Sequence, residues 1–377
     1  MPQLNPALQK QLDTLATEVV AKHAETVDRD GAFPKSSIDA MTAAGFLGLI
    51  SALDVGGQGL PVGAAALVIE RVARECGSTA MVLAMHYAGA AVLEKYGPGD
   101  VRRAVASGRH LSTLAFSESG SRSHFWAPTS TAKRGADGRI TLSAQKSWVT
   151  SAGSATAYVW SSRPVAAEGA STLWLVPSSW KGIRMPAPYD GLGLRGNDSR
   201  AVTAEDVIVP EASRLGSDGE GFAIMMQTVL PAFNLMSAAF SVGLMEAAVT
   251  RTASHASGSR YAHIDSSLAD LPTIRAFVAR MRVRTDMARA LLLDSIDAVE
   301  SGRGDAMLRV LECKAAAAET ALDVLATAMR VCGGAAYRRD VAVERYFRDA
   351  QAASVMAPTT DQLYDFIGKA ACGLPLF

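Results

Sequence analysis

The periodicity of the hydrophobic residues changes twice along the chain, and this change most limits the folds open to it. Apolar residues recur every three or four positions up to about residue 110 and again from about residue 216, as in amphipathic helices. Short alternating runs such as RITLSAQ and TAEDVIVP lie between them, which is typical of antiparallel strands. We therefore predict an α+β multidomain chain: an N-terminal α-helical domain (1–110), a middle antiparallel β-barrel or sandwich (111–215) and a C-terminal four-helix bundle (216–377). The order has no β-α-β alternation, which disfavours a Rossmann sheet.

The composition excludes several broad classes of protein. Hydrophobic residues make up 49% of the 377 residues, enough for a large core, and 37 Lys and Arg balance 37 Asp and Glu. Because the net charge is zero, we expect no nucleic-acid partner and no electrostatic attachment to a membrane. The most apolar stretch, Val229 to Met245, contains Pro231 and Asn234, so it predicts a buried helix rather than a membrane span.

The cysteines and the N-terminal residues indicate in which cellular compartment the protein is expected. The four cysteines form no C-x-x-C pair, and the first residues show no basic-then-apolar signal pattern. Both features favour a cytoplasmic location. The six histidines lack the H-x-x-x-H and H-E-x-x-H spacings, so we predict no metal site.

Three segments carry residue types suited to a ligand. AFSESGSRSH (115–124) offers many hydroxyl and backbone N–H donors, which suit a phosphate but also an ordinary solvated turn. QKSWVTSAGSA (145–155) has a Trp that could flank a flavin ring or simply fill the core of a strand. Cys332-Gly333-Gly334 could cap a helix or let a ligand approach the backbone.

These segments occur in an order that resembles the acyl-CoA dehydrogenase family from about Val20 to Lys369. FPKSSIDAMTAAGFLGLI and VGGQG resemble the family's first helices and glycine turn, and LAFSESGSRSH lies where the family has T-E-P-x-A-G-S-D. KSWVTSA is similar to K-x-W-I-T-N/S-A, and LGLRGNDSRAVTAEDVIVP to G-x-R-x-S…F-x-x-V-x-V-P. VCGGAAYRRDVAVERYFRDA is similar to x-x-G-G-x-G-Y…P-V-E-R-x-x-R-D-A. Five soft motifs in register make the resemblance specific.

The resemblance implies a flavin-dependent oxidoreductase that binds FAD, with FMN as an alternative, and assembles as a homotetramer. It implies that Trp148 flanks the isoalloxazine ring, that Thr150 bonds near its N5 atom and that Ser123 faces the pyrophosphate. The whole implied cofactor site consists of Phe116, Ser117, Ser123, Trp148, Val149, Thr150, Arg260, Arg330, Gly334, Thr359 and Asp361.

The chain departs from the family pattern at the positions of the catalytic glutamate and in the cofactor loop. Family dehydrogenases remove the substrate α-proton with a glutamate, which stands in an E-G-T segment before the last helix or, in some members, on the first helix after the β-domain. The corresponding residues here are Ala357 and Phe233, and a neighbouring family Arg is Asn234. In the cofactor loop, family Pro, Ala, Gly and Asp residues are replaced by Ser119, Ser121, Arg122 and His124.

Other polar residues are then candidates for the chemistry. His86 lies on a helix that the family places near the flavin, His124 lies in the cofactor loop, and Asp361 follows Ala357 by about one helical turn. Each also has a simpler interpretation: His86 as a hydrogen-bonded core residue, and His124 as a surface substitution. Substrate contacts are predicted for Arg122, Phe233 and Met356.

Three functional hypotheses follow. The first is an atypical acyl-CoA dehydrogenase-like enzyme that acts on an acyl-CoA and passes electrons to a partner protein. The second is a two-component monooxygenase that takes reduced FMN or FAD from a flavin reductase and acts on a small non-CoA compound. The third, a fold relative without catalysis, is disfavoured by the retained Trp148-Val149-Thr150.

Overall fold

Helices form the first third of the chain, and they begin at recognisable caps. The computed structural model describes residues 4–263 and 265–376. The Asn5 side chain accepts a hydrogen bond from Leu8 N and Pro6 takes the first helical position, the arrangement expected at a helix start. A π-turn, Ala16–Val20, makes the first two helices continuous. The helices of this part are α1 (Pro6–Leu15), α2 (Ala21–Asp30), α3 (Lys35–Ala43), α4 (Val62–Ala73), α5 (Gly77–Tyr96) and α6 (Gly99–Ala106).

Strands replace helices from Ser112 to Leu215. They are β1 (Ser112–Ala115), β2 (Thr131–Arg134), β3 (Ile140–Val149), β4 (Ala157–Ser162), β5 (Thr172–Pro177), β6 (Ile183–Arg184), β7 (Arg200–Val209) and β8 (Arg214–Leu215). They form two four-stranded sheets, ordered β1-β4-β5-β8 and β2-β3-β7-β6. A core that includes Trp160, Trp174 and Leu142 fills the space between the sheets. The pairing is antiparallel except for β1 and β4, which run parallel.

Long helices return at Gly221 and pack as a bundle. They are α7 (Gly221–Ile224), α8 (Leu230–Gly258), α9 (Pro272–Glu300), α10 (Ala306–Cys332), α11 (Val343–Val355) and α12 (Thr360–Ala371), with a small ribbon of β9 (Arg260–Tyr261) and β10 (Ser266–Ser267). Helix α8 contacts α4, α5, α9, α10 and α11. By length and composition, Gly221–Gly258 could cross a membrane, but 94% of its most apolar window is buried inside the protein, as predicted for a core helix.

The predicted fold class is confirmed, with two corrections of detail. The β-domain contains one parallel pair because pairing partners are not encoded in the local alternation of residues. The C-terminal domain, predicted as a four-helix bundle, ends in two separate helices, α11 and α12, because the chain is extended at Met356 and a new N-cap forms at Thr359. Pro358, which lacks an N–H, lies in the break. This break forms part of the cavity described next.

Candidate active site

A cavity of about 580 Å³ lies where the β-domain meets the helices. Its walls come from Met85 of α5, the loop after β1, the end of β3, the loop 189–199, the start of α8 and the break between α11 and α12. Most of its surface is apolar, with hydroxyl groups from Ser117, Ser123 and Thr150. A concave apolar site with a few polar groups is the usual form of a small-molecule or cofactor site.

Trp148 is aimed by an irregularity in β3. The register between β3 and β7 shifts between Lys146 and Val149, and Trp148 adopts a left-handed φ of 55°. Such bulges turn a side chain out of the regular strand pattern. The indole is 64% exposed and lies 4.3 Å from the Tyr189 ring between ring centres. A large aromatic ring is thus presented to the cavity instead of to the core.

The loop after β1 brings polar groups to the same cavity. Phe116 is buried and stacks on Phe125 at 6.3 Å between ring centres. Ser123 Oγ accepts a hydrogen bond from Thr359 N at 3.0 Å, so the loop is tied to the start of α12. Arg122 has φ 49° and lines the cavity, where its guanidinium supplies positive charge.

A buried ion pair fixes this loop to β3. Glu118 accepts hydrogen bonds from Lys146 Nζ at 2.5 Å, Ser130 Oγ at 2.6 Å and Thr129 N at 2.8 Å. Burial alone would raise the pKa of Glu118, but Lys146 and the Ser130 and Thr129 hydroxyls outweigh it and lower the pKa to about 2. Burial lowers the pKa of Lys146 to about 8 although the charge of Glu118 opposes the shift. Both groups are therefore ionised at neutral pH.

The two residues predicted to stand at the family's glutamate positions meet at this cavity. Phe233 of α8 and Ala357 of the α11–α12 break both line it, with Met356 and Thr359 beside Ala357. Of the described residues that line the cavity, only Glu118 is acidic. Its oxygens already accept several hydrogen bonds, and with a pKa of about 2 it is a weak base.

The structure brings most of the predicted ligand-binding residues together. Those that line the cavity are Phe116, Ser117, Arg122, Ser123, Trp148, Thr150, Phe233, Met356 and Thr359. Val149 does not, because strand alternation turns it into the core of the β-domain.

The three predicted catalytic residues do not line the cavity. His86 is fully buried: its Nε2 lies 2.9 Å from Leu47 O, and its Nδ1 accepts a hydrogen bond from Ser112 N at 3.1 Å. His124 is exposed beside the Trp126 ring. Asp361 is exposed in the first turn of α12. The structure therefore gives none of them a catalytic position within this chain.

Three predicted cofactor residues lie elsewhere on the chain. Arg260 forms an ion pair with Asp265 on an exposed ribbon. Arg330 stacks over the Phe277 ring at 4.6 Å. Gly334 lies in the exposed 3₁₀ turn after α10, with no atom within 4 Å of where a side chain would begin.

Some residues in or beside the cavity were missed by sequence reasoning. Tyr189, which contacts Trp148, comes from a loop with no regular pattern. The Glu118–Lys146 pair was also missed, although each residue lies in a segment that the sequence singled out. The pair could have been suspected from the sequence, because a carboxylate and an amine stand in two segments that were both expected to contact the same ligand.

The cavity residues fit a flavin. The exposed Trp148 ring offers a flat apolar surface for an isoalloxazine, and the Ser117 and Thr150 side chains offer hydroxyl groups for its polar atoms. Ser123, Thr359 and the Arg122 guanidinium lie at the same cavity and suit the phosphates. Within 4–263 and 265–376, no cluster of His, Cys, Asp and Glu could hold a metal ion.

Comparisons with known proteins identify the family. Three family models match the chain in order: "Acyl-CoA dehydrogenase, N-terminal domain" at residues 5–107, "middle domain" at 113–207 and "C-terminal domain" at 219–372. The chain is 27% identical over 371 residues to the human mitochondrial short-chain specific acyl-CoA dehydrogenase, covering 96% of this chain and 88% of that protein.

Solved structures share the fold. A glutaryl-coenzyme A dehydrogenase in complex with glutaryl-CoA superposes with a TM-score of 0.92 at 23% identity, covering 100% of this chain and 98% of the other. The FAD complex of PigA gives 0.88 at 18% identity, with 99% of each chain covered. Together with the three matched domains, these likenesses show that the chain belongs to the acyl-CoA dehydrogenase family, whose members are flavin-dependent oxidoreductases.

Proposed function

We propose that this chain binds FAD and oxidises a small acyl thioester without a carboxylate base of its own at the substrate α-carbon. The observation that carries the proposal is the composition of one cavity. It combines the exposed Trp148 and a set of hydroxyl groups with Ala357 and Phe233 at the two glutamate positions. PigA, a relative in fold, is known as an FAD complex, which favours FAD over FMN.

The chain's own residues then orient the reactants. When bound, FAD supplies a two-electron acceptor. Trp148 and Phe116 confine the flat ring, while Thr150 and Ser117 offer hydroxyl groups to its polar edge. Arg122 stabilises an anionic group of the cofactor or the thioester. Phe233, Met356 and Val355 form the apolar wall for the acyl part.

The missing carboxylate limits the chemistry. A positioned general base contributes roughly 10²- to 10⁴-fold to rate, and Glu118 is engaged by Lys146. Acyl thioesters with ordinary α-protons are therefore expected to be poor substrates. The preferred substrates are thioesters whose α-proton is acidic enough to leave to water.

We also propose a cytoplasmic homotetramer that passes electrons to a separate flavoprotein. The exposed apolar residues Val283 and Met287 lie one turn apart on α9, which supports a face covered by another subunit. All four cysteines are free, as is usual in a reducing compartment. Size-exclusion chromatography with light scattering tests the tetramer, and a monomer at micromolar concentration would refute it.

The proposed function is tested with purified protein and a panel of acyl-CoA thioesters under anaerobic conditions. We expect released FAD on denaturation, and loss of the flavin absorbance with thioesters of acidic α-protons when an artificial acceptor is absent. Absence of flavin in any redox state would refute the proposal. A product that forms only with oxygen, NAD(P)H and a flavin reductase would replace it with a monooxygenase.

Restoring the carboxylate alone should not restore ordinary desaturation. We expect Ala357→Glu to raise turnover of saturated acyl-CoAs by less than about tenfold, because Phe233 and Met356 also shape this wall. The matched control is Ala357→Gln, which has the same size but no base. A gain of several hundredfold with glutamate, and none with glutamine, would contradict this prediction and show that only the base is missing.

A further inference from the structure

The buried amine of Lys314 contacts the backbone of a segment that lines the cavity. Lys314 of α10 is 1% exposed. Its Nζ donates hydrogen bonds to Met356 O at 3.0 Å and to Pro358 O at 2.6 Å. The same Nζ lies 5.9 Å from the centre of the Phe233 ring. The amine therefore lies against both segments that carry the predicted glutamate positions, the α11–α12 break and the start of α8.

The burial of this amine is not offset by a carboxylate. In the part of the chain that the structure describes, Lys314 has no acidic partner within ion-pair distance, unlike Lys146, the other buried lysine. Burial lowers the pKa of Lys314 to about 7, and the neighbouring Cys313 thiol opposes this shift. Burying an amine without an ionic partner costs free energy. The contacts that offset this cost are the hydrogen bonds to two carbonyl oxygens and the approach to the Phe233 ring.

Those two carbonyls bracket the segment that lines the cavity. Met356, Ala357 and Thr359 face the cavity, and Lys314 holds the carbonyl oxygens of the residues before and after Ala357. The end of the segment is held from the other side, where Thr359 N donates to Ser123 Oγ at 3.0 Å. The segment is therefore fixed between α10 and the loop after β1.

We propose that Lys314 is a positioning residue for the ligand cavity. Its Nζ holds the Met356–Thr359 segment and the Phe233 ring in the places they take against the cofactor and substrate. Its effect on cofactor binding rests on the proposed function, whereas its effect on the segment does not. The proposal concerns a residue that acts through the wall and touches no reacting atom.

The first test follows the segment itself by amide hydrogen exchange of the purified protein. In Lys314→Met, we expect the amides of Met356, Ala357, Thr359 and Thr360 to exchange about tenfold faster or more, because two hydrogen bonds that hold this segment are lost. Val324→Ala, a buried substitution on the same helix away from the cavity, is the matched control for general destabilisation. Equal exchange of those four amides in Lys314→Met and the wild type would overturn the proposal.

The second test measures the dissociation constant and absorbance spectrum of FAD. We expect Lys314→Met to weaken FAD binding by about tenfold or more and to shift the flavin band, with Val324→Ala unchanged at a similar loss of thermal stability. Lys314→Gln, which keeps a donor for one of the two carbonyls, should move both quantities in the same direction by a smaller amount and serves if Lys314→Met does not fold. Wild-type protein without FAD affinity would refute the proposed function alone, because the exchange result still decides the role of Lys314. Unchanged affinity in both variants beside a binding wild type would overturn the positioning role.

Discussion

At the scale of single residues, the hydrogen bonds of His86 decide its role. Nδ1 accepts from the backbone N–H of Ser112, so the proton of the neutral ring must be on Nε2, which donates to Leu47 O. Burial lowers the pKa of His86 to about 4. The side chain is a neutral connector between α5, the segment at Leu47 and the start of β1.

His86 should therefore affect acid stability and not ligand binding. The unfolded chain takes up a proton near the ordinary pKa of 6.5, whereas the folded chain resists protonation down to about 4. The stability contribution is complete above pH 6.5 and is lost as the pH falls from 6.5 towards 4. Between pH 7.5 and 5, we expect the free energy of unfolding of wild type to fall by about 2 kcal/mol more than that of His86→Gln. Denaturant melts at both pH values measure this, and parallel pH slopes in the two proteins would contradict it.

The sequence singled out residues of one cavity where neighbours in sequence are neighbours in space. Trp148 and Thr150 lie in one strand end, and Ser117, Arg122 and Ser123 in one loop, so a local motif was enough to find them. His86 and Asp361 were chosen by their chemistry and position in the chain. Their surroundings come from segments distant in sequence, such as Leu47 and Ser112, and a single sequence does not supply those contacts.

At the scale of elements, the loop after β1 is held to β3 by the Glu118–Lys146 pair. Both side chains are almost fully buried, with 4% and 0% exposed. Lys146 Nζ also donates to Ser161 O at 2.7 Å, so β4 is joined to the same cluster. Loss of one charge leaves the other buried without its partner, which is more costly than loss of both.

A double-mutant cycle tests this connection. We expect Glu118→Gln to lower the free energy of unfolding by about 3 kcal/mol and to weaken FAD binding, because Ser117 and Ser123 belong to the released loop. Lys146→Met should have a comparable effect on stability. The double variant should lose less than the sum of the two single variants. Strictly additive losses, measured by denaturant melts, would show that the pair is not coupled.

The element order was predictable, but the joints between elements were not. Periodicity separated helices from strands, since it depends only on local residue patterns. The break at Met356–Thr359 was not predicted, because helical spacing continues on both of its sides and Pro358 alone does not fix where a helix ends. The parallel pairing of β1 with β4 was not predicted, because it joins segments about 45 residues apart, such as Ser112 and Ala157.

At the scale of the whole molecule, a charged network joins the N-terminal helices to the bundle. Arg289 of α9 contacts Glu70 of α4 at 3.1 Å and Glu246 of α8 at 2.6 Å. Arg282 adds a bidentate contact to Glu246, both at 2.8 Å. The hydrogen bond from Arg282, helped by Arg289, lowers the pKa of Glu246 to about 2 although burial opposes it.

The network should stabilise the molecule only while Glu246 is ionised. Its folded pKa lies below the ordinary 4.5, so the contribution is complete above pH 4.5 and is lost as the pH falls towards 2. At pH 7 we expect Glu246→Gln to cost about 1 kcal/mol, since Arg282 is 35% exposed and water screens the pair. Arg284→Ala, which breaks the exposed contact to Asp323, is the control with little expected effect. A cost for Glu246→Gln that is as large at pH 3 as at pH 7 would contradict the argument.

The two sides of the cavity differ in how firmly the rest of the molecule constrains them. Leu230 and Phe233 belong to α8, which packs against α4, α5, α9, α10 and α11, so a change of shape there disturbs five helices at once. The opposite side includes Tyr189 and Gly191 of the loop 185–191, which forms neither helix nor strand. Inherited substitutions in that loop can alter which compounds enter while the scaffold keeps its stability. Sequence divergence among descendants of this chain should therefore accumulate first around Tyr189, before it reaches Leu230 and Phe233 on α8.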